Sequence, residues 1–301
     1  MEIHPTGQFD NSAKDYAHIE AVPLSAAMGA EIRGIQVPSL TDESFTEVAD
    51  ALYRHKMIYI RDQDISHSDH EDFTHRFGAF GRDAYTAGLE GHPEIQPVLK
   101  DADSKAHMIF GGAWHTDSPF LLQPPAITIL VGRDIPTHGG DTMWANSALA
   151  YNFLSNTMKE TLAKLRVHMS ARTVLAEVKK GAEKFGDKSL GGTPLQFDPE
   201  PMIAGAFHPL VRTHPITSEK ALYVDDTYAV SIEGMTELEA DAILGFLRHH
   251  ITQPAFTCRL RWEPNTMTVW DNRLCLHHAF NDHEGSRREM HRTTVLGEVP
   301  V

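Results

Sequence analysis

Cysteine is nearly absent from this chain, which has Cys258 and Cys275 but no C-x-x-C pair among its 301 residues. This scarcity argues against a disulfide framework or a thiolate metal site, and it favours a reducing, cytoplasmic location. Long apolar runs are also missing, since no stretch approaches the ~18 residues of a membrane span. The first ten residues are polar and lack the basic start and apolar run of a signal peptide. We therefore expect a cytoplasmic protein with no membrane partner.

Positive charge is scarce as well. The chain has 27 Lys and Arg against 41 Asp and Glu, a formal net charge of −14, and no basic run offsets it locally. Nucleic acid is therefore not an expected partner. Internal repeats and Pro/Ser/Gly linkers are missing too, so we expect a single domain over residues 1–301. Within it, residues 1–18 should form a loosely held N-terminal arm, and residues 176–206 a mobile excursion near the site entrance.

Helices are indicated where capping residues precede apolar residues at helical spacing. The three clearest starts are Thr41, either Ser66 or Ser68, and the Thr236–Glu239 capping box. The first helix should end near His55 and the second at Gly78. Residues 146–165 also have helical spacing.

Short apolar or β-prone runs indicate strands in the rest of the chain. They lie at residues 57–60, 126–131, 207–224, 256–262, 267–270 and 293–296. Residues 78–112 show little periodicity in their apolar residues and contain many glycines, which is typical of a binding loop. The predicted fold class is a β-rich α+β domain, a double-sheet jelly roll with flanking helices.

A histidine and a carboxylate stand two positions apart at His115 and Asp117. On an extended segment both side chains point to one side, since strand side chains alternate with a period of two. A second imidazole could come from His277, and two histidines with one carboxylate form the facial triad of non-haem iron oxygenases. The chain has 19 histidines, so a surface pair remains the alternative to a metal site.

Five separated motifs resemble the taurine dioxygenase family of iron(II)- and 2-oxoglutarate-dependent oxygenases. They are residues 114–117, 139–144, 208–215, 270–273 with His277, and 287–292, with agreement also at 29–32 and 76–78. The resemblance extends over residues 20–298 and implies a double-stranded β-helix, the jelly roll expected above. It implies that His115, Asp117 and His277 bind iron(II), Fe2+, and together form the catalytic centre.

The resemblance also assigns the cosubstrate 2-oxoglutarate to Thr142 and Arg288. A guanidinium offers a bidentate partner for the far carboxylate, and a hydroxyl can donate one more hydrogen bond. Arg292, four residues on, should face an anionic group of the substrate. The alternatives are an exposed charge for Arg288 and a structural ion pair with an aspartate for Arg292.

The implied reaction consumes dioxygen (O2), converts 2-oxoglutarate to succinate and CO2, and hydroxylates a small anionic substrate, which the hydroxylation could cleave. Taurine-using members have a histidine and an asparagine where this chain has Asp83 and Gly111. With Tyr85, Phe110 and Phe120 nearby, a larger sulfonate or an aryloxy or alkyl carboxylate is expected instead.

Three other functions were weighed against this one. They are a biosynthetic hydroxylase of an amino acid or natural product, a non-catalytic metal-binding sensor or storage module, and a zinc hydrolase. A metal store needs no dicarboxylate clamp, and a hydrolase needs a positioned general base, for which the sequence has no motif. Relatives of this kind predict a homodimer or a homotetramer.

Overall fold

The structure is a computed structural model that describes residues 7–82, 84–104, 111–185 and 198–301. In these ranges the chain forms helices and strands that are numbered here in chain order. The helices are α1 Asp42–His55, α2 His67–Phe77, α3 Ser147–Asn152, α4 Asn156–Leu162, α5 Arg172–Phe185, α6 Pro199–Ala204 and α7 Glu237–Ile251. The strands are β1 Glu20–Pro23, β2 Ala30–Arg33, β3 Met57–Ile60, β4 Gln96–Lys100, β5 Ile127–Asp134, β6 Thr142–Asn146, β7 Arg166–Met169, β8 Ala206–Pro209, β9 Val211–Thr213, β10 Lys220–Leu222, β11 Ala229–Ile232, β12 Thr257–Leu260, β13 Met267–Asp271, β14 Cys275–Ala279 and β15 Arg288–Val295.

The strands of the described ranges assemble into one large sheet and three small ones. The large sheet has the order β1-β2-β3-β13-β5-β15-β4, and a three-stranded sheet has the order β12-β6-β14. The other two are β11-β7-β8 and β10-β9. Strands far apart in sequence are neighbours here, as β13 lies between β3 and β5. Most of the contacts that define the fold are therefore non-local.

The large sheet is buried on both faces, as β3 illustrates. Met57 and Tyr59 pack in the core shared with Trp144 of β6. Ile58 and Ile60, which alternate with them, pack in a second core beneath α1 and α2. Because side chains alternate along a strand, one strand supplies two cores. The first core, between the large sheet and β12-β6-β14, contains the candidate site.

The predicted helix starts are confirmed by their capping hydrogen bonds. The Thr41 hydroxyl accepts from the Ser44 amide at 3.2 Å before α1. Ser66 caps α2 through a reciprocal pair with Asp69, and the Glu239 carboxylate accepts from the Thr236 amide at 2.9 Å before α7. Each cap satisfies a helical N–H that has no partner within the helix.

Residues 176–206 differ from the expected excursion. Residues 176–185 continue α5, and α6 follows at Pro199–Ala204. The Ala171 amide donates to the Met202 carbonyl at 2.9 Å, which ties α6 to the start of α5. The Lys- and Glu-rich composition of residues 176–185 belongs to an amphipathic helix. The middle of the segment, residues 186–197, lies outside the described residues.

The N-terminal arm is anchored over part of its length, contrary to expectation. Asn11 is buried, and its amide donates to the carbonyls of Ser25 and Gly29 at 2.6 and 2.9 Å. Its Oδ1 lies 2.6 Å from Nδ1 of His55 at the end of α1. A buried amide fixed by three partners holds this part of the arm against the domain.

Two further expectations need correction. The strand β4 lies inside the segment 78–112 that was expected to be a loop, and it pairs with β15. Residues 146–165 form two short helices, α3 and α4, because Ser155 starts a new helix by accepting from the Met158 amide at 3.2 Å. The sheet-rich architecture with helices packed on it agrees with the predicted β-rich class, while the double-stranded β-helix stays a prediction.

A search of the described helices for a membrane span found none that is both long and apolar enough.

Candidate metal centre and anion clamp

His115 is placed by a single pair of backbone hydrogen bonds rather than by the strand that was expected. Its amide donates to the His277 carbonyl at 3.0 Å, and the His277 amide donates back at 2.8 Å. This bridge brings the two imidazoles to one side, with ring centroids 4.0 Å apart. Ser118 then turns the chain with a φ of 42°. His115 needs no strand of its own, because its bridging residue His277 already has a fixed backbone in β14.

His115, Asp117 and His277 form a buried cluster. Each offers one ligand atom, and the three atoms lie within 4.8 Å of one another; no other group of three such residues does so in the described ranges. Nδ1 of His115 donates to the Ala113 carbonyl at 2.8 Å, which leaves its Nε2 with a free lone pair. Burial lowers the pKa of both histidines. The imidazoles are therefore neutral, as metal binding requires.

The carboxylate of Asp117 remains ionised although it is buried. Burial alone would raise its pKa, but the charge of Arg292, the two neighbouring histidines and a hydrogen bond from Thr128 together hold the pKa below its usual range. Nη1 of Arg292 donates to Oδ1 at 3.2 Å. The cluster thus combines one negative oxygen ligand with two neutral nitrogen ligands.

A one-way chain of hydrogen bonds orients Asp117. The Trp270 indole, which can only donate, donates to Oδ1 of Asn272 at 2.9 Å. The Asn272 amide nitrogen therefore faces Thr128 and donates to its hydroxyl at 2.8 Å. That hydroxyl must direct its own hydrogen to Oδ2 of Asp117, 2.5 Å away. The sequence pattern gave no sign of Thr128, which belongs to an ordinary apolar strand.

The side chains of residues 270–273 belong alternately to two hydrogen-bond networks. Trp270 and Asn272 serve the chain that ends on Asp117. Asp271 accepts instead from Nε of Arg273 at 2.8 Å and lies 3.0 Å from Nε2 of His214. The motif therefore supports the candidate site with alternate residues and the surrounding fold with the others.

Arg288 is buried, and part of its hydrogen-bonding capacity is unused. Its Nε donates to the Gly140 carbonyl at 3.2 Å, whereas its buried Nη2 has no hydrogen-bond partner in the described part of the chain. Burial lowers the pKa of Arg288 to about 10. Gly140 has a φ of +69°, and a Cβ there would lie 3.1 Å from Cδ of Arg288. Glycine is thus needed for this close approach.

Thr142 shares a neighbour, Trp262, with the Arg288 guanidinium. Its hydroxyl accepts from the Trp262 indole at 2.9 Å, so its hydrogen is available for a ligand. The ring of Trp262 lies 5.8 Å from Cζ of Arg288. A buried guanidinium with an unfilled N–H fits a carboxylate, and the Thr142 hydroxyl, on the other side of the shared Trp262 contact, could donate to the same ligand.

Three aromatic rings form a wall near the cluster. Tyr85 donates from its hydroxyl to that of Tyr228 at 3.0 Å. Phe120 meets Tyr85 and Tyr228 with ring centroids 5.7 and 5.3 Å away. Asp225 accepts from the amides of Thr116 and Tyr228 at 3.3 and 2.6 Å, which ties the wall to the metal-ligand segment. Tyr228 was not predicted, because nothing in its local sequence distinguishes it from a core tyrosine.

Gly111 lies against His115. It has a φ of +79°, and a Cβ there would stand 3.2 Å from Cε1 of the His115 ring. Its carbonyl accepts from the Ala279 amide at 2.9 Å. Two other predicted substrate contacts, Asp83 and Phe110, lie outside the described residues.

Known proteins of one family are similar to this chain over most of its length. The model of the family "Taurine catabolism dioxygenase TauD, TfdA family" matches residues 20–294. A sulfate ester dioxygenase of Pseudomonas putida, dependent on alpha-ketoglutarate (2-oxoglutarate), is 31% identical over 94% of this chain and 91% of its own. A sulfonate dioxygenase of Saccharomyces cerevisiae with the same dependence is 29% identical over 99% of this chain and 72% of its own. The crystal structure of a taurine dioxygenase from Burkholderia xenovorans superposes with a TM-score of 0.77 at 34% identity, covering 95% of this chain and 93% of that one. The chain therefore belongs to the TauD/TfdA family and is a 2-oxoglutarate-dependent dioxygenase.

Proposed function

We propose that His115, Asp117 and His277 hold iron(II) and that the protein hydroxylates a small organic anion. Two neutral imidazoles and one carboxylate form the ligand set that suits iron(II) and leaves positions for other ligands. The three side chains are buried and their ligand atoms lie within 4.8 Å of one another. Dioxygen would be the second cosubstrate, beside 2-oxoglutarate.

Arg288 and Thr142 would bind the far carboxylate of 2-oxoglutarate. The observation that carries the proposal is the buried Arg288 guanidinium, whose Nη2 has no hydrogen-bond partner in the described residues. A buried cation without a counterion is costly unless a ligand supplies one. A metal store would have no use for this clamp, to which Thr142 would add a hydroxyl donor.

Bound iron and 2-oxoglutarate would supply the oxidant, with 2-oxoglutarate leaving as succinate and CO2 and a substrate C–H bond becoming C–OH. The chain itself would position the reactants. Asp117 is fixed by Thr128 and Arg292, and His115 is fixed by the Ala113 carbonyl. The wall of Tyr85, Phe120 and Tyr228 would exclude water from the reacting carbon.

The substrate would be a sulfonate, a sulfate ester, or an aryloxy or alkyl carboxylate. Arg292 is a buried cation next to the cluster, and a divalent ion at Asp117 would compete for the carboxylate that Arg292 now contacts. Arg292 would then face the anionic group, while the aromatic wall packs against the apolar part. Gly111 provides no polar side chain for a small amine such as that of taurine. A sulfate ester dioxygenase and a sulfonate dioxygenase among the relatives support this class.

The proposal extends to the architecture and the assembly of the protein. The large sheet and the β12-β6-β14 sheet would form the two layers of a double-stranded β-helix, and the protein would act as a homodimer or a homotetramer. These statements rest on family resemblance, and solution scattering with size-exclusion chromatography would test the assembly.

Two measurements test the proposed function. Anaerobic addition of iron(II) and 2-oxoglutarate should give a weak visible charge-transfer band, which His115→Ala and Asp117→Ala should abolish. Succinate release should then rise above the uncoupled background with at least one sulfonate, alkyl sulfate or aryloxy acid in a screen. A band that survives both substitutions would refute the ligand assignment, and a binding-only protein would release no succinate with any substrate.

A further inference from the structure

A second histidine cluster lies on the other face of β15. Arg288 and Arg292 face the candidate metal centre, so Glu289 and His291, which alternate with them, face the opposite side. An open cleft of about 590 Å³ lies there, and its lining includes His67, His92, His291, Arg133, Asp134 and Glu289. Nothing in the proposed reaction uses these histidines.

Two imidazole nitrogens in the cleft already have the spacing of metal ligands. Nε2 of His67 lies 3.2 Å from Nδ1 of His291. Two nitrogens on one tetrahedral zinc ion, each ~2.0–2.1 Å from the metal, lie about 3.3 Å apart. The ring of His92 is close by, with its centroid 4.9 Å from that of His67.

Carboxylates orient two of the three rings. Nε2 of His291 lies 3.1 Å from Oε1 of Glu289, and Nδ1 of His92 lies 2.7 Å from Oε2 of Glu71. Because a carboxylate accepts, those nitrogens carry the hydrogens, which leaves Nδ1 of His291 and Nε2 of His92 with lone pairs. A carboxylate behind each metal-binding histidine is the usual arrangement in zinc sites.

The charged groups around the cleft nearly balance, with one carboxylate in excess. Glu71, Glu289 and Asp134 contribute three carboxylates. Two guanidiniums oppose them, since Arg287 donates from Nη2 to Oε2 of Glu289 at 2.7 Å, and Arg133 donates to the Ile65 carbonyl at 2.9 Å. Burial lowers the pKa of His67 and of His291, which keeps both rings neutral.

We propose that this cleft is a second metal site, in which His67 and His291 bind Zn2+ and His92 turns to supply the third nitrogen. The ion would replace the single hydrogen that His67 and His291 share in its absence. In the described residues only the His115 cluster already has three ligand atoms within 4.8 Å, so His92 must rotate about its side-chain bonds and give up its present contact with Glu71. The fourth position faces the open cleft and would hold water.

An ion at this site would join three parts of the chain. His67 lies in the first turn of α2, His291 lies on β15, and His92 closes the turn that begins at Leu89. That turn follows Tyr85 of the aromatic wall. Zinc would therefore stabilise the outer side of the substrate pocket and raise the thermal unfolding temperature.

Counting bound zinc tests the proposal. Equilibrium dialysis against Zn2+ should load two ions per wild-type chain, because the His115 cluster also binds zinc. His277→Ala should retain one ion, the double substitution His67→Gln with His291→Gln should retain one, and all three together should retain none. His249→Gln, which changes an exposed histidine on α7, is the matched control and should keep both.

Cobalt distinguishes the two sites by their spectra. Co2+ in a tetrahedral nitrogen site absorbs visible light far more strongly than in the six-coordinate geometry of a facial triad. The strong band should persist in His277→Ala and disappear in the cleft variant, with circular dichroism showing that both variants are folded. The second site would be overturned if the cleft variant still bound two zinc ions. It would also be overturned if the wild type bound only one zinc ion and His277→Ala removed it.

Discussion

Two buried polar clusters lie side by side in this protein and differ in how completely their charges are paired. Around Asp271, the Arg273 guanidinium and Nε2 of His214 approach the carboxylate, and Arg273 and Arg212 share Glu298. Burial alone would raise the pKa of Asp271, but Arg273 and His214 hold it well below its usual range. This cluster is a network of ion pairs in which each carboxylate has a cationic partner, although Nε of Arg212 is buried without a hydrogen-bond partner in the described residues.

The cluster around Asp117 is open in comparison. Nδ1 of His277 and Nη2 of Arg288 are buried and have no hydrogen-bond partner in the described residues. Leaving such groups unsatisfied costs stability, about 1–3 kcal/mol for each buried donor or acceptor. The difference teaches that burial of charge alone does not identify a site. A buried cation without an ion-pair partner among the described residues, such as Arg288, is the better sign, and the expected effects of substitution differ between the two clusters accordingly.

The largest difference should appear on removing the charge of each aspartate. Asp117→Asn keeps the shape of the side chain but removes the negative oxygen ligand, so turnover should fall by at least about a thousandfold, or ~4 kcal/mol of transition-state stabilisation. The melting temperature should fall less than in Asp271→Asn, because Asp117 loses one ion pair, with Arg292, whereas Asp271 contacts both Arg273 and His214. Steady-state kinetics and thermal unfolding measure the two effects, and a variant that retains turnover would contradict the role of Asp117.

Asp271→Asn should show the opposite pattern. It leaves Arg273 buried without its main partner, so the free energy of unfolding should fall by roughly 3–5 kcal/mol. Turnover per folded molecule should remain near that of the wild type. Urea denaturation measures the free energy of unfolding, and active-site titration gives the turnover per folded molecule. A variant with normal stability and lost turnover would show that the two clusters do not differ in this way.

Thr128 tests the chain that orients Asp117. Thr128→Val preserves shape but removes the hydrogen bond to Oδ2, and we expect the affinity for iron(II) or Mn2+ to fall about 10–100-fold. Thr128→Ser is the matched control and should restore most of the affinity, since it keeps the hydroxyl. Metal titration monitors both variants. Equal losses in both would indicate a packing defect rather than a lost hydrogen bond.

Arg288→Lys tests the anion clamp. An ammonium cannot present the planar fork of a guanidinium, so the KM for 2-oxoglutarate should rise about tenfold, equivalent to ~1.4 kcal/mol. The KM for the organic substrate should change less. Arg287→Lys, at a half-exposed neighbour, is the control and should leave both constants unchanged. A similar rise in both KM values would argue against a clamp specific for the cosubstrate.

The smallest expected effect concerns a buried polar group outside both clusters. Burial lowers the pKa of His55 to about 4, so the folded state binds its proton less readily than the unfolded state. The stability that the neutral ring contributes is present above pH 6.5 and is lost as the pH falls toward 4. Between pH 6.5 and 5.5 the free energy of unfolding should drop by at most about 1 kcal/mol through this group. Urea denaturation should show a smaller drop in the free energy of unfolding between pH 6.5 and 5.5 for His55→Gln than for the wild type. An equal drop in both proteins would show that other groups cause the pH dependence.

The local features of the chain were readable from its sequence. Thr41, Ser66 and Thr236 each cap a helix, and each is a polar residue that precedes apolar residues at helical spacing. Residues 57–60, an apolar run, form a strand. Such features depend on neighbours within a few residues, where capping and side-chain alternation operate. The sequence also pointed to His115, Asp117 and His277 as one group, and their candidate ligand atoms lie within 4.8 Å of one another.

The tertiary structure alone decided which distant residues complete each cluster. Thr128 and Asn272 lie 144 positions apart, and Arg292 reaches Asp117 across 175 positions. His67 and His291 meet across 224 positions because α2 packs on β15. The physical reason is that alternation along a strand fixes which face a side chain takes, whereas its partner across the sheet is fixed by strand order and register. Those follow from burying both faces of the large sheet, which no segment of the chain can do alone.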